Sequence, residues 1–150
     1  MTPMLTAAGG FLIAVLWIDL MFDVQVLPHR GERELPPEVT GSISTYYRRV
    51  TTTASPMGRL IAVVMLALIV GIIVQLAMGD VPTWVSILSI LLAGIPIGLA
   101  AGRVVRDAAR LGADADRPAM QTKLARRICQ NHIVCFAGMV LFVTLQLAAG

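Results

Sequence analysis

Apolar residues in this chain fall into long uncharged blocks, and in one connecting stretch they recur at helical intervals. Residues 60–79 (LIAVVMLALIVGIIVQLAMG) and 81–102 (VPTWVSILSILLAGIPIGLAAG) contain no charge. Residues 128–149 likewise hold only one titratable imidazole, His132. A fourth block, 4–27, is interrupted by Asp19 and Asp23 alone. Each block supplies the ~20 apolar residues that cross a bilayer core of roughly 30 Å. Lipid offers the backbone no hydrogen bonds, so such blocks must be helices. The pattern predicts an all-α integral membrane four-helix bundle, a single membrane domain over residues 1–150. No Lys or Arg precedes the first block and no small-x-small site follows it, so it reads as a retained helix rather than a cleaved signal.

The connection between the first two spans has its own periodicity. Leu35, Val39, Ile43, Tyr46, Tyr47 and Val50 line one side of a helix, with Gly41 and Arg48 opposite. Pro36 and Pro37 suit a first turn, where a missing N–H costs little. The spacing predicts an amphipathic interfacial helix over 37–52, ended by the Thr51–Thr53 run and Pro56. Two roles fit it: an anchor on the membrane surface with tyrosines at headgroup depth, or a docking surface or lid over the bundle mouth. The second long connection continues the third helix as RVVRDAAR and breaks at Gly112. Asp116 is then placed to cap the fourth helix, with Pro118 in its first turn.

Composition agrees with the blocks. Hydrophobic residues make up 57% of the chain and charged residues 14%, against about 25% charged in soluble domains. All twelve Lys and Arg lie in two connections, five between the first and second spans and seven between the third and fourth. The positive-inside rule puts both connections in the cytoplasm and both termini outside. Eleven of the twelve are Arg, and with the Ala-rich usage this points to a bacterial inner membrane. The net charge of +3 has its source in this rim, which suits anionic lipid heads; nucleic acid is not expected as a partner.

Gly94, Gly98 and Gly102 stand four residues apart on the third span, a GxxxG-type groove that lets another backbone approach. The partner is a neighbouring helix of the same chain, a second copy in a homodimer, or a different membrane protein. Ala67 and Gly71 offer a weaker groove on the second span, and Pro96 is expected to bend the third.

Asp19 and Asp23 are one turn apart and share a helix face. At 1.5 Å per residue they lie about 12 Å and 6 Å from the arginine-rich end of their helix. An ionised carboxylate at the bilayer centre costs about 2.5–3.5 kcal/mol and normally faces the protein interior. At the same depth the sequence collects Arg59, Arg103, Arg126, Arg127, Asn131 and His132. The opposite half has only the amides Gln75 and Gln146 and hydroxyls such as Thr144. Three readings follow. The acids pair with Arg59 and Arg103 and fix helix register; or Asp19, Asp23 and His132 form a proton-responsive site; or Cys129, His132 and Cys135, at i, i+3 and i+6, contribute to a metal or redox site with Asp19. Without loop or facing-helix ligands, the cysteines are otherwise small apolar filler. No phosphate loop, nucleophile elbow, HExxH or CxxC occurs, and no cofactor is expected. His29 reads as a solvated loop residue.

The layout resembles small bacterial four-span proteins of the anthrone-oxygenase-like group. The likeness lies in a first span, a long amphipathic stretch (LPPEVTGSISTYYRRVTTTASPMGRL), three further spans, and a last helix that opens with ARRICQNH. An Arg shortly after Asn131 is missing here, where the chain reads HIVC. The resemblance implies a cofactor-poor membrane oxidoreductase or a membrane protein without assigned chemistry. From the residues themselves, the first expectation is a non-enzymatic accessory or partner-binding module. A small proton-coupled transporter using Asp19, Asp23 and His132 comes second, and a membrane oxidoreductase third.

Overall fold

A computed structural model describes residues 1–150, the side chain of Ser55 excepted. Six α-helices follow one another: α1 (Thr2–Asp23), α2 (Pro37–Thr51), α3 (Ser55–Met78), α4 (Thr83–Leu99), α5 (Val105–Gly112) and α6 (Pro118–Ala149). A 3₁₀ turn, Val24–Val26, extends α1, and a π-helical turn, Ala100–Val104, joins α4 to α5. Four helical stretches, Thr2–Val26, Pro56–Met78, Thr83–Gly112 and Pro118–Ala149, are long and apolar enough to cross a membrane. The chain is an all-α bundle with the composition of a multi-pass membrane protein.

The distribution of side chains fits that solvent. Leu66, Met78 and Leu147 are each 65% exposed on the outside, while Asp23, Gln75, Ser86 and Gln146 are fully buried. A water-soluble bundle does the reverse, because exposed apolar area is unfavourable in water and buried polar groups need partners. Here buried amides hold helices together, while the Ser86 hydroxyl has no partner among the described residues. Gln75 and Gln146 exchange two amide hydrogen bonds of 3.1 and 3.2 Å, and Gln146 also donates to Ser89 Oγ at 2.8 Å. These join α3, α6 and α4 near the end where both termini lie; a Cβ on Gly150 would stand 2.6 Å from Thr2. Thr144 instead bonds its own helix, at Val140 O.

Several boundaries differ from those expected, each for a local reason. Pro56 opens α3 rather than closing α2, since a proline in the first turn forfeits no hydrogen bond. The threonine run does end α2. Thr51, Thr52 and Thr53 each donate a hydroxyl to a carbonyl four residues back, at 2.7, 2.6 and 3.1 Å, local side-chain bonds of the kind that compete with continuation of a helix. Asp116 does not cap α6. It takes a two-pronged bond from Arg110, at 2.7 and 2.8 Å, and that hydrogen bond holds its carboxyl below the usual carboxylate range. Gly79 closes α3 in the left-handed conformation, at φ +70°.

Pro96 lies inside α4. The helix relaxes into the π turn four residues later, and α6 fits against the site. A Cβ on Gly138 would meet Pro96 Cγ at 2.8 Å and Leu92 O at 3.0 Å, and Cys135 donates its thiol to Pro96 O at 3.6 Å.

Two apolar cores result. Leu5, Leu12, Leu68, Ile72, Ala93, Met139 and Phe142 fill the bundle between α1, α3, α4 and α6. The second lies at the arginine-rich end, where Ile43 and Tyr47 of α2 pack with Leu111 of α5 and with Leu124, Ile128 and Cys129 of α6. This corrects the surface-anchor reading of α2. Its apolar face is covered by protein, with Ile43 fully buried and Tyr47 2% exposed, and the helix closes the end of the bundle.

Candidate functional site

The two acids of α1 meet the imidazole of α6 directly beneath α2. His132 Nδ1 lies 2.6 Å from Asp23 Oδ2, and its Nε2 lies 3.9 Å from Asp19 Oδ2. The ring therefore stands between two carboxylates. Asp23 is fully buried and His132 is 5% exposed. From above, α2 contributes two adjacent phenols. The Tyr47 hydroxyl donates to Asp23 Oδ1 at 2.7 Å, and the Tyr46 hydroxyl donates to Asp19 Oδ1 at 2.5 Å. Each oxygen of Asp23 thus faces its own partner. Tyr46 is also stacked on Phe22, with ring centres 4.0 Å apart and planes 9° off parallel, and it meets Tyr47 edge-on at 5.1 Å.

Sequence spacing explains why three elements, α1, α2 and α6, converge here. Asp19 and Asp23 project from one face of α1, a turn apart, and neighbouring tyrosines on α2 reach one acid each. Burial, followed by the neighbouring carboxylates, pushes the ionisation of both phenols well above the ordinary value of 10.0. These are hydroxyls that stay protonated and donate. The pair was legible as part of the amphipathic face of α2 but not as part of the site. The available signal was two adjacent phenols opposite two acids one turn apart.

The arginines expected beside the acids are elsewhere. Arg59 and Arg103 are exposed and form no ion pair among the described residues. The acids are therefore held by an imidazole and two phenols instead of guanidinium groups. Arg126 donates to the carbonyls of His29 and Glu32 at 2.8 and 2.7 Å, tying the first connection to α6. Arg127 makes a two-pronged pair with the buried Asp107, both bonds 2.6 Å. Asn131 is partly buried, and its amide nitrogen has no partner among the described residues. His29 bonds Glu32 at 2.7 Å, so it is paired rather than merely solvated.

The other expected sites are likewise placed. Cys129 packs in the second core, Cys135 turns to Pro96, and His132 turns to the acids. Among the described residues no three His, Cys, Asp or Glu side chains are arranged to share a metal ion. Gly94, Gly98 and Gly102 do not receive a neighbouring helix; nothing described lies within 4 Å of a Cβ built on any of them. Close intramolecular contacts fall on Gly138, on Gly71, which is met by Leu5, and on Gly112.

Fold and site together define a four-helix bundle with a carboxylate–imidazole–carboxylate cluster, closed by a tyrosine-bearing helix. No family model, curated protein or solved structure matches the chain.

Proposed function

We propose that this chain is a non-enzymatic, proton-responsive protein of a bacterial inner membrane, with both termini outside and the arginine-rich end in the cytoplasm. In this reading the Asp19–Asp23–His132 cluster binds and releases a proton, and α2 responds. The observation that carries it is the contact of both acids with one buried imidazole and with both phenols of α2. Three ionisable groups share a site closed to solvent, where a change of charge is costly, so a proton gained there must alter the bonds that hold the cluster together. The orientation is supported by the confinement of all twelve cationic side chains to two connections at one end.

The groups that face the cluster set the sign. They are Asp19 and Asp23 from α1, Tyr46 and Tyr47 from α2, and His132 with the nearby Cys129 from α6. An ionised carboxylate accepts a stronger hydrogen bond from a phenol than a protonated one does. Loading protons onto the acids therefore weakens the hold on α2, and proton binding competes with α2 docking. Hydrogen exchange of α2 amides in proteoliposomes, corrected for intrinsic rates, tests this between about pH 5 and 8, the range in which imidazole-linked switches operate. Protection of α2 is expected to fall on acidification while that of α6 is retained. Asp19→Asn with Asp23→Asn is expected to leave α2 loosened and insensitive to pH. Protection of α2 that is unchanged across this range contradicts the proposal.

A further inference from the structure

A second polar feature lies outside the cluster, on the flank of the arginine-rich end. An open pocket of about 420 Å³ is lined by Arg33 of the first connection and by Thr122, Lys123, Arg126, Arg127 and Gln130 of α6. Arg127 is neutralised by Asp107. Arg33 and Lys123 are exposed and make no ion pair among the described residues. Arg126 Nε is buried without a hydrogen-bond partner although its Nη2 is fully used. The pocket thus gathers two uncompensated cations and an unused guanidinium donor. One carboxylate, Glu34, lines the adjoining depression next to Lys123.

Depth and the face of α6 identify the chemistry that fits. The uncharged run of α6 begins directly after Arg127, which places the hydrocarbon boundary near Gln130, so the cations stand at phosphate level. The same helix face continues past Gln130 as Val134 and Leu141, which follow Lys123 by about three and five turns. Val134 is 51% exposed and Leu141 56%. One strip of α6 therefore changes from cationic to apolar where the bilayer does.

We infer that this strip binds an anionic phospholipid, with its phosphate headgroup among Arg33, Lys123 and Arg126 and an acyl chain along Val134 and Leu141. Charge complementarity favours this occupant, and basic pockets beside membrane helices commonly take such headgroups. The inference requires the membrane setting but not the proton-responsive reading, so each can fail alone.

The test is lipid binding to the detergent-purified full chain, read by native mass spectrometry and by thermal stability. The probes are phosphatidylglycerol, phosphatidylcholine and inorganic phosphate. Phosphatidylglycerol is expected to bind and to raise the melting point more than phosphatidylcholine does. Arg33→Gln with Lys123→Gln is expected to weaken its binding roughly 25-fold, about fivefold per charge, and both positions are exposed and unpaired, so the fold is retained. Arg59→Gln with Arg103→Gln, which removes two cations elsewhere on the same rim, is expected to leave binding unchanged. Equal loss in both double variants assigns the effect to general surface charge and overturns the site. Stabilisation by inorganic phosphate alone, equal to that by the lipid, overturns the lipid assignment.

Discussion

Asp23→Leu is expected to destabilise the bundle by about 3–5 kcal/mol, the cost of removing one partner from a buried charged pair. Two groups lose their partner at once. His132 Nδ1, 2.6 Å from the carboxylate, and the Tyr47 hydroxyl, at 2.7 Å, are both left in a site closed to solvent. Asp23→Asn is expected to cost less, because the amide retains an oxygen for one donor. The informative comparison is Asp23→Leu with His132→Leu. Replacing both members of a buried pair by apolar groups is often neutral or stabilising, so the double variant is expected to recover much of the stability lost in Asp23→Leu. Thermal unfolding in detergent checks the set. Recovery of stability without pH-sensitive docking of α2 would separate the packing role of the cluster from its proposed proton role. Full additivity of the two substitutions would show that Asp23 and His132 do not interact as described.

The second large effect is expected at Gly112, where α5 carries the backbone of α2. A Cβ there would stand 2.7 Å from Arg48 N, 2.9 Å from Tyr47 C and 3.0 Å from Arg48 Cα. All three are main-chain atoms of α2, so no side chain can swing aside and the helix itself must move. Arg48 Nε, which donates to Gly112 O at 3.1 Å, moves with it. Overpacking of this kind costs about 1–3 kcal/mol. Because the displaced backbone carries Tyr47, Gly112→Ala is also expected to lengthen the phenol–Asp23 contact and to raise hydrogen exchange in α2. Gly41→Ala supplies the contrast. Its Cβ meets nothing described within 4 Å, and alanine in a helix is favoured over glycine by roughly 0.5–1 kcal/mol. Gly41→Ala is therefore expected to be neutral or stabilising. A Gly112→Ala protein as stable as its parent would mean that α2 does not rest on α5.

Much of this architecture is written in the hydropathy pattern. The four apolar blocks are helices, and the amphipathic stretch between the first two is α2. Long uncharged runs are unambiguous because few other structures accommodate them. Pairings between elements are less legible. Asp19 and Asp23 stood out as membrane-embedded acids, and His132 was among their possible partners, but so were Arg59 and Arg103 at the same depth. Depth follows from counting residues, whereas rotation of each helix about its axis follows from packing. That rotation turns Arg59 and Arg103 outward and His132 inward. For the same reason the glycines of the third span, regular in sequence, face away from their own bundle, and the isolated Gly138 and Gly112 take the close contacts. Tyr46 and Tyr47 suited an interfacial belt equally well, and only the position of α2 over the acids distinguishes the two roles.

The most direct measurement follows from composition. Tyr46 and Tyr47 are the chain's only tyrosines, so tyrosinate absorbance reports the contact of α2 with the cluster and nothing else. Both phenols are held above the ordinary value of 10.0 in the folded state by burial and by the neighbouring carboxylates. The stability this contributes is fully present below pH 10 and is lost as pH rises through the raised folded values. An alkaline titration of the folded protein is expected to show no tyrosinate up to about pH 11, with the signal appearing near the ordinary value once the chain is unfolded. Asp19→Asn with Asp23→Asn is expected to bring the folded transition down toward that value. Folded protein in which both tyrosines titrate near pH 10 would contradict the account, because α2 would then not be seated on the buried acids.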